Sequence, residues 1–332
     1  MIERHLWDGG TIPAMGLGCW AIGGTWTAGT TQSGWGTVDD AVSARAIHTA
    51  VDLGIRLFDT AQAYGAGHSE TVLGRALAGH PDVRIATKVG YAVDPASRTL
   101  TGEDASPAAI VLSIDHSLRR LRRDRIDLVH LHLNELSVDR AEPVFDALEA
   151  LRVGGKIGAY GWSTDFPDRA AAFADRTGFV SVQHTMNVFF RADALLPVIE
   201  AKGLMSINRS PLAMGLLGGK YGAGRRLGAD DVRGQSLDWM VYFKGGEAAP
   251  DYLRQLDAVR ALLQTDGRSL VQGALGWLWG RSANSFPIPG FHNGAQVTEL
   301  AGALEYGPLS ADVMAAIEAA IIREPEGAVR PR

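Results

Sequence analysis

From Asp40 onward, apolar positions along the chain switch between a period of about 3.6 residues and short unbroken runs. Ile47, Ala50, Val51 and Gly54 share one helical face, Leu57 to Asp59 form a brief apolar strand, and Val72, Ala76 and Leu77 stripe the next helix behind Ser69 as its expected N-cap. The run Arg84 to Lys88 reads as a strand, and Ser106-Pro107 opens a helix with Ile110, Ile114, Leu118 and Leu121 facing inward. Arg119, Arg120, Arg122 and Arg123 fall in its last turns, where the helix dipole favours cations, so they read as a solvated helix end rather than a nucleic-acid patch. The alternation continues: a strand over Ile126–His132, a helix on Val144, Leu148 and Leu151 closed by Gly154-Gly155, a strand over Ile157–Ser163, and a helix from Pro167. Next come a strand over Val180–Asn187, a helix over Asp193–Lys202 ended by Gly203, and a strand over Leu204–Arg209. A Gly-rich stretch at 215–248 interrupts the rhythm. Helical spacing resumes over Tyr252–Leu263 and Ser269–Trp279, and Ser285–Ile288 supplies an eighth strand. Val297, Leu300, Ala301 and Leu304 stripe one closing helix, and Val313, Ile317 and Ile321 another behind Ser310.

Ahead of this cycle, Arg4–Trp7 and Thr11–Pro13 flank Asp8-Gly9-Gly10, a hairpin turn signal, and Met15–Gly18 reads as a buried strand. The loop from Cys19 to Asp40 carries Trp20, Trp26 and Trp35 among glycines, which suits a pocket wall better than a linker. Repeated right-handed strand-helix-strand crossovers curl a sheet onto itself, so the pattern predicts an α/β fold: a (β/α)8 TIM barrel with an N-terminal β-hairpin and long loops at the C-terminal face. An open doubly wound sheet is disfavoured, because no GxGxxG opens the first crossover. A length of 332 residues fits one barrel domain over 1–332.

Composition narrows the function classes. Hydrophobic residues at 46% and charged residues at 21% permit a large core and argue against disorder. A formal net charge of -5 leaves no basic field for nucleic acid or an anionic membrane. No apolar run reaches the roughly 18 residues of a spanning helix, Glu3, Arg4, His5 and Asp8 break any signal-peptide core, and a lone Cys19 fits a reducing compartment, so the expected location is cytoplasmic.

The candidate chemistry lies at predicted strand ends. Asp59 closes one strand and opens a Gly-rich loop carrying Tyr64; Lys88 closes a second strand and His132 a third. In a barrel, those C-terminal ends form the active face. An ammonium beside a phenol stabilises its anion, so Lys88 is expected to lower the Tyr64 pKa while Asp59 keeps Lys88 charged. His130 and His132 share one strand face, which invites a metal reading. No metal is expected, and His130 is expected one layer deeper, hydrogen-bonded there.

The pattern DTA-x-x-YG at Asp59–Gly65, TK at Thr87-Lys88 and IDL-x-x-x-H at Ile126–His132 resembles that of the aldo-keto reductases over nearly the whole chain. The resemblance implies a barrel enzyme that interconverts a small-molecule aldehyde or ketone with its alcohol by direct hydride transfer, with Tyr64 as general acid and His132 orienting the carbonyl oxygen. It also implies a nicotinamide site. Ser163, Thr164 and Gln183 match positions that contact the carboxamide, with Thr164 standing where an Asn is usual. Arg209 replaces an aromatic that stacks on the nicotinamide; its planar guanidinium can stack too. Ser210-Pro211-Leu212 with Met214-Gly215-Leu216-Leu217 matches the pyrophosphate loop, and Gly290, Gln296 and Glu299 match the adenine end. His292 occupies the place of the cation that holds the 2′-phosphate of NADP(H), which leaves NAD(H) open as a second cofactor and makes the NADPH preference expected to grow as pH falls from 8 to 6. Arg225, Arg226 and Arg268 are alternative cations for that phosphate, and Trp239, Tyr242 and Phe243 join the three earlier indoles as candidate pocket aromatics. The rival function, from another class, is a cofactor-binding regulatory or partner subunit on the same fold with weak or no turnover.

Overall fold

The computed structural model describes residues 1–222, 224–235, 237–323 and 326. It opens with the antiparallel pair β1 (Glu3–His5) and β2 (Thr11–Pro13), turned at Gly9, whose φ of 79° suits glycine. Leu6 and Ile12 from this hairpin pack among Leu57, Ala86, Leu128, Ala159, Ile207 and Phe286, which plugs the barrel floor. An ion pair from Arg84 Nε to the Asp8 carboxylate at 2.8 Å pins the hairpin there.

The barrel then builds in order. Strand β3 (Leu17–Gly18) leads through a loop holding β4 (Thr27–Ala28) and β5 (Thr31–Gln32) to α1 (Asp40–Asp52), capped by the Asp39 side chain. Next come β6 (Leu57–Asp59), α2 (His68–Ala76), β7 (Arg84–Val89), and the hairpin β8 (Tyr91–Asp94) and β9 (Thr99–Glu103) before α3 (Pro107–Leu121). The cycle continues through β10 (Ile126–Leu131), α4 (Val138–Val153), β11 (Ile157–Ser163), α5 (Pro167–Phe173), β12 (Phe179–Thr185), α6 (Leu196–Ala201) and β13 (Met205–Arg209). A long connection with the small hairpin β14 (Phe243–Lys244) and β15 (Glu247–Ala248) precedes α7 (Pro250–Leu263), α8 (Leu270–Arg281), β16 (Ser285–Pro287), α9 (Gly294–Tyr306) and α10 (Ala311–Ala320).

Eight parallel strands pair in the order β16-β13-β12-β11-β10-β7-β6-β3. The ends of the sheet meet where Gly16 N–H donates to Pro287 O and Gly18 N–H to Pro289 O, closing the barrel. Gly18 is required at this seam, since a Cβ there would lie 2.8 Å from the Ile288 carbonyl oxygen. The larger core lies between the barrel and its helices, with Phe145, Trp162, Phe173 and Phe179 packed tilted and edge to face in one aromatic cluster.

Several local expectations are corrected. Ser69 is not a cap: α2 begins at His68, and the buried Ser69 hydroxyl donates to Cys19 O at 2.8 Å. The helix expected over Asp193–Lys202 is confined to Leu196–Ala201. The arginine cluster is only partly a solvated helix end, because Arg120 pairs with the fully buried Glu70 at 2.6 Å and Arg123 donates to His80 O at 2.8 Å, tying α3 to α2 and the turn that follows it. No periodic pattern marks the 91–103 hairpin, which forms between β7 and α3. It pairs with the 27–32 hairpin as a four-stranded sheet, β5-β4-β9-β8, in which β4 and β9 run parallel. Among the described residues no helix is long and apolar enough to cross a membrane.

Candidate active site

Lys88 is fully buried, and its ammonium has three acceptors: Asp59 Oδ1 at 2.5 Å, Thr60 O at 2.8 Å and Tyr64 Oη at 3.2 Å. Gln183 Nε2 donates to the other Asp59 oxygen at 2.8 Å. Strand geometry accounts for the assembly. Asp59 is the last residue of β6, Lys88 lies next to last on the neighbouring β7, and Gln183 reaches across from β12. The loop after β6 returns Tyr64 over this cluster through Gly65, Ala66 and Gly67, all in the left-handed region. Its bend is fixed by a backbone contact, since a Cβ on Gly65 would sit 2.2 Å from Gly23 O.

The electrostatics follow from burial against pairing. Burial pushes Lys88 toward neutrality, but Asp59 and Tyr64 outweigh it and hold the pKa above the usual lysine value. Burial raises the Asp59 carboxyl, opposed by Lys88 and Gln183. Burial also lifts the Tyr64 phenol; the Lys88 charge pulls it back, and the net position stays above the ordinary tyrosine value. The expected lowering of Tyr64 by Lys88 is thus present but overridden, because desolvating a phenolate costs more than one shared ammonium returns.

His132 follows β10 directly, with its N–H bonded to Val89 O at 2.8 Å, and its ring meets the Tyr64 ring edge to face with centroids 5.9 Å apart. His130 lies deeper in the barrel, fully buried, with Nε2 against Ser181 Oγ at 2.9 Å. Burial and the nearby Lys88 hold its pKa down at about 3, so it is neutral.

These groups open onto a cleft of about 470 Å³ at the C-terminal ends of the strands. Asp59, Tyr64, His132, Ser163, Gln183, Arg209, Ser210, Pro211, Leu212, Gly215, Gly290, His292, Gln296 and Glu299 all reach its wall. Lys88 lies beneath the wall, and of the expected cofactor residues Thr164, Leu216 and Leu217 do not reach it. Thr164 is buried with its hydroxyl bonded to Asn134 O at 2.9 Å, and Asn134 takes the wall position instead; Leu216 is buried in the core. Arg209 is held by an ion pair to Asp165 and by a 2.7 Å bond to Thr185 Oγ1. The Gln296 side chain accepts from His292 N–H at 2.7 Å, and Asn293 caps α9, which places Gln296 and Glu299 along one helix face toward the cleft.

The cations near His292 are not those expected. Arg225 and Arg226 bond to Lys220 O and Gly245 O, and Arg268 to Asp266 and two carbonyls; none lines the cleft. Lys220 and Arg233 do. Arg233 is claimed by Asp231 and lies 4.5 Å above the Trp35 ring, whereas Lys220 has no ion pair among the described residues. No pattern marked Lys220, which sits in an irregular Gly-rich segment. His292 is held below the ordinary histidine value, by desolvation first and then by the Arg233 charge.

A roof covers the catalytic end. Trp20 stacks on Tyr64 at 5.9 Å and meets Trp35 edge to face at 5.4 Å and Trp239 at 6.4 Å. Trp26, Ala28, Tyr91 and Leu100 from the paired hairpins join the lining. Tyr242 and Phe243, expected as pocket aromatics, are instead buried in the core.

Comparison with known proteins gives consistent relatives. The sequence model described as the aldo/keto reductase family matches residues 14–322. The aldo-keto reductase YhdN of Bacillus subtilis is 31% identical over 271 residues, covering 80% of this chain and 76% of that one. A glycerol dehydrogenase from Gluconobacter oxydans superposes with a TM-score of 0.81 at 28% identity, covering 99% of this chain and 98% of that one. An aldo-keto reductase from Bacillus halodurans, solved in its holo form, gives 0.78 at 25% identity over 99% of both chains.

Proposed function

Since this chain belongs to the aldo/keto reductase family, we propose that it reduces the carbonyl of a small aldehyde or ketone to the alcohol, and runs the reverse reaction, with NADP(H) as the preferred cofactor. One observation carries the reading: a single buried ammonium, Lys88, bridges the Asp59 carboxylate and the Tyr64 hydroxyl at the floor of an open cleft. A regulatory subunit without turnover would not need that arrangement kept whole.

The residues of the cleft fit a nicotinamide dinucleotide. Among the described residues Lys220 has no ion pair and the buried Trp35 indole N–H no hydrogen-bond partner, so both are offered to a phosphate. Ser210, Ala213, Met214 and Gly215, each with positive φ, curl the chain about one side where a pyrophosphate would lie. Ser163, Asn134 and Gln183 stand at the catalytic end for a carboxamide, and Gln296 and Glu299 at the far end for an adenosine. A bound nicotinamide supplies the hydride that no side chain can.

The chain's own part is proton transfer and orientation. Tyr64 Oη donates a hydrogen bond to the carbonyl oxygen and gives up its proton as negative charge develops there. Lys88 stabilises the phenolate this leaves, and Asp59, oriented by Gln183, keeps Lys88 charged and aimed. His132, on the flank of Tyr64, holds the same oxygen in line. Alcohol oxidation reverses each transfer. The proposed setting is the cytoplasm, consistent with the single, buried, unbridged Cys19.

The test is NAD(P)H oxidation, followed by absorbance, with a panel of aldehydes and ketones. Tyr64→Phe is expected to lower turnover roughly 100-fold to 10,000-fold while cofactor affinity stays within a few-fold. Retention of a tenth or more of wild-type turnover would remove Tyr64 from the acid role.

A further inference from the structure

The 91–103 hairpin does more than roof the cleft. Its first residue, Tyr91, lies one glycine beyond β7, and the Tyr91 ring meets the His132 imidazole edge to face with centroids 5.2 Å apart at 77°. His132 also meets Tyr64, at 5.9 Å and 84°. The imidazole is therefore fenced by two tyrosines, one reacting and one not.

Tyr91 is itself anchored from three directions. Its carbonyl accepts a 2.5 Å hydrogen bond from Gln62 Nε2, and Gln62 is buried within the same loop that delivers Tyr64. Its backbone is held in the roof sheet, where β8 pairs with β9 in the register Tyr91↔Glu103 and β9 pairs with β4. The preceding Gly90, at a φ of 118°, packs so closely that a Cβ there would lie 2.9 Å from the Leu133 side chain, which fixes how the chain leaves β7. A histidine side chain has two rotatable bonds, and His132 sits at the rim of an open cleft. The edge contact with Tyr91 limits how far its ring can turn from the point where Tyr64 presents its proton.

We propose that Tyr91 is a positioning residue for the reaction: its ring fixes the orientation of His132 opposite Tyr64, and the Gln62 bond ties that orientation to the loop carrying the acid. This rests on the reductase reading of the same site. The roof sheet is thereby part of the catalytic geometry and not only a substrate cover. The proposed positioning acts through the ring contact, so a phenylalanine should serve and an aliphatic side chain should not.

The experiment compares wild type, Tyr91→Phe and Tyr91→Leu. Carbonyl reduction by the wild type tests the reductase reading separately, and the variants then test this proposal. Tyr91→Phe is expected to keep kcat within about twofold. Tyr91→Leu should lose about tenfold or more in kcat, as misplacement of a reacting group does, with the Kd for NADPH unchanged. A second readout uses ¹⁵N-labelled imidazole NMR: the His132 ring signals should shift and broaden in Tyr91→Leu but not in Tyr91→Phe, while the His130 signals stay put. Loss of the Tyr91 ring current moves the signals in any case, so the diagnostic change is the broadening, which a purely structural role would not produce. The proposal is overturned if Tyr91→Leu turns over within twofold of wild type, if Tyr91→Phe is as impaired as Tyr91→Leu, or if the His132 signals do not broaden in the leucine variant.

Discussion

A phenol that acts as an acid must hold its proton at neutral pH and release it only when an oxyanion forms beside it. Tyr64 meets both demands through opposed forces: burial keeps it protonated, and Lys88 at 3.2 Å waits to stabilise the anion. The same contest between burial and charge bears on the proposed cofactor preference at the other end of the cleft. His292 is held below the ordinary histidine value, so its protonation falls under the neutral range, and the NADPH advantage expected to grow from pH 8 to 6 should instead be nearly flat from 8 to 7 and rise only in more acid solution. Lys220, whose charge acts on His292, is the better candidate for the 2′-phosphate. A charge-assisted hydrogen bond is worth roughly 1.5–3 kcal/mol, or about 10-fold to 150-fold. Lys220→Met should therefore weaken NADPH binding by that order and leave NADH within a few-fold, as fluorescence titration of both cofactors across pH 6–8 would measure. Equal losses for both would place Lys220 at the pyrophosphate instead.

At the scale of elements, the site depends on two loops meeting backbone to backbone. The loop after β3 presents Trp20, the loop after β6 presents Tyr64, and they touch where both have glycine. A Cβ on Gly23 would lie 2.9 Å from the Tyr64 carbonyl carbon, and this neighbour is backbone that cannot rotate aside. Gly23→Ala should push the Tyr64 loop outward by a few tenths of an ångström, lowering kcat by roughly tenfold with little change in NADPH affinity. Steady-state kinetics beside a cofactor titration checks this, and an unchanged kcat would show that the loop absorbs the shift. The helices behind are coupled more firmly, since the buried Glu70 accepts from Thr87 Oγ1 at 2.5 Å as well as from Arg120, linking α2 to both β7 and α3 just behind Lys88. Such a buried carboxylate is tolerable only because it is paired and hydrogen-bonded.

For the whole molecule, the barrel supplies a rigid floor and the loops supply nearly all of the cleft. The proposed single domain should unfold as one unit, and a ligand bound only to the native state adds about 2.7 kcal/mol of stability at 100 times its Kd. Saturating NADPH should accordingly raise the melting temperature. In hydrogen exchange it should protect residues 210–219 and 288–299 while leaving the β1–β2 floor hairpin unchanged. Protection at the floor instead would move the cofactor away from the C-terminal face.

Much of this was legible in the sequence because it is local or periodic. Alternating strands and helices with inward apolar stripes dictate a closed barrel, and Asp59, Lys88 and His132 at or beside strand ends must then share one face, whatever the side chains between them. Features set by neighbours distant in sequence were not legible. The roof sheet exists because Thr27-Ala28 finds Thr99-Leu100, two segments too short to carry a periodic signal of their own. Lys220 reaches the cleft while Arg225, Arg226 and Arg268 turn away, and the choice among them depends on which carbonyls and carboxylates lie near each in space. The protonation of Tyr64 also waited on the fold, because sequence names the charges in a cluster, whereas only tertiary packing sets how much water is excluded around them.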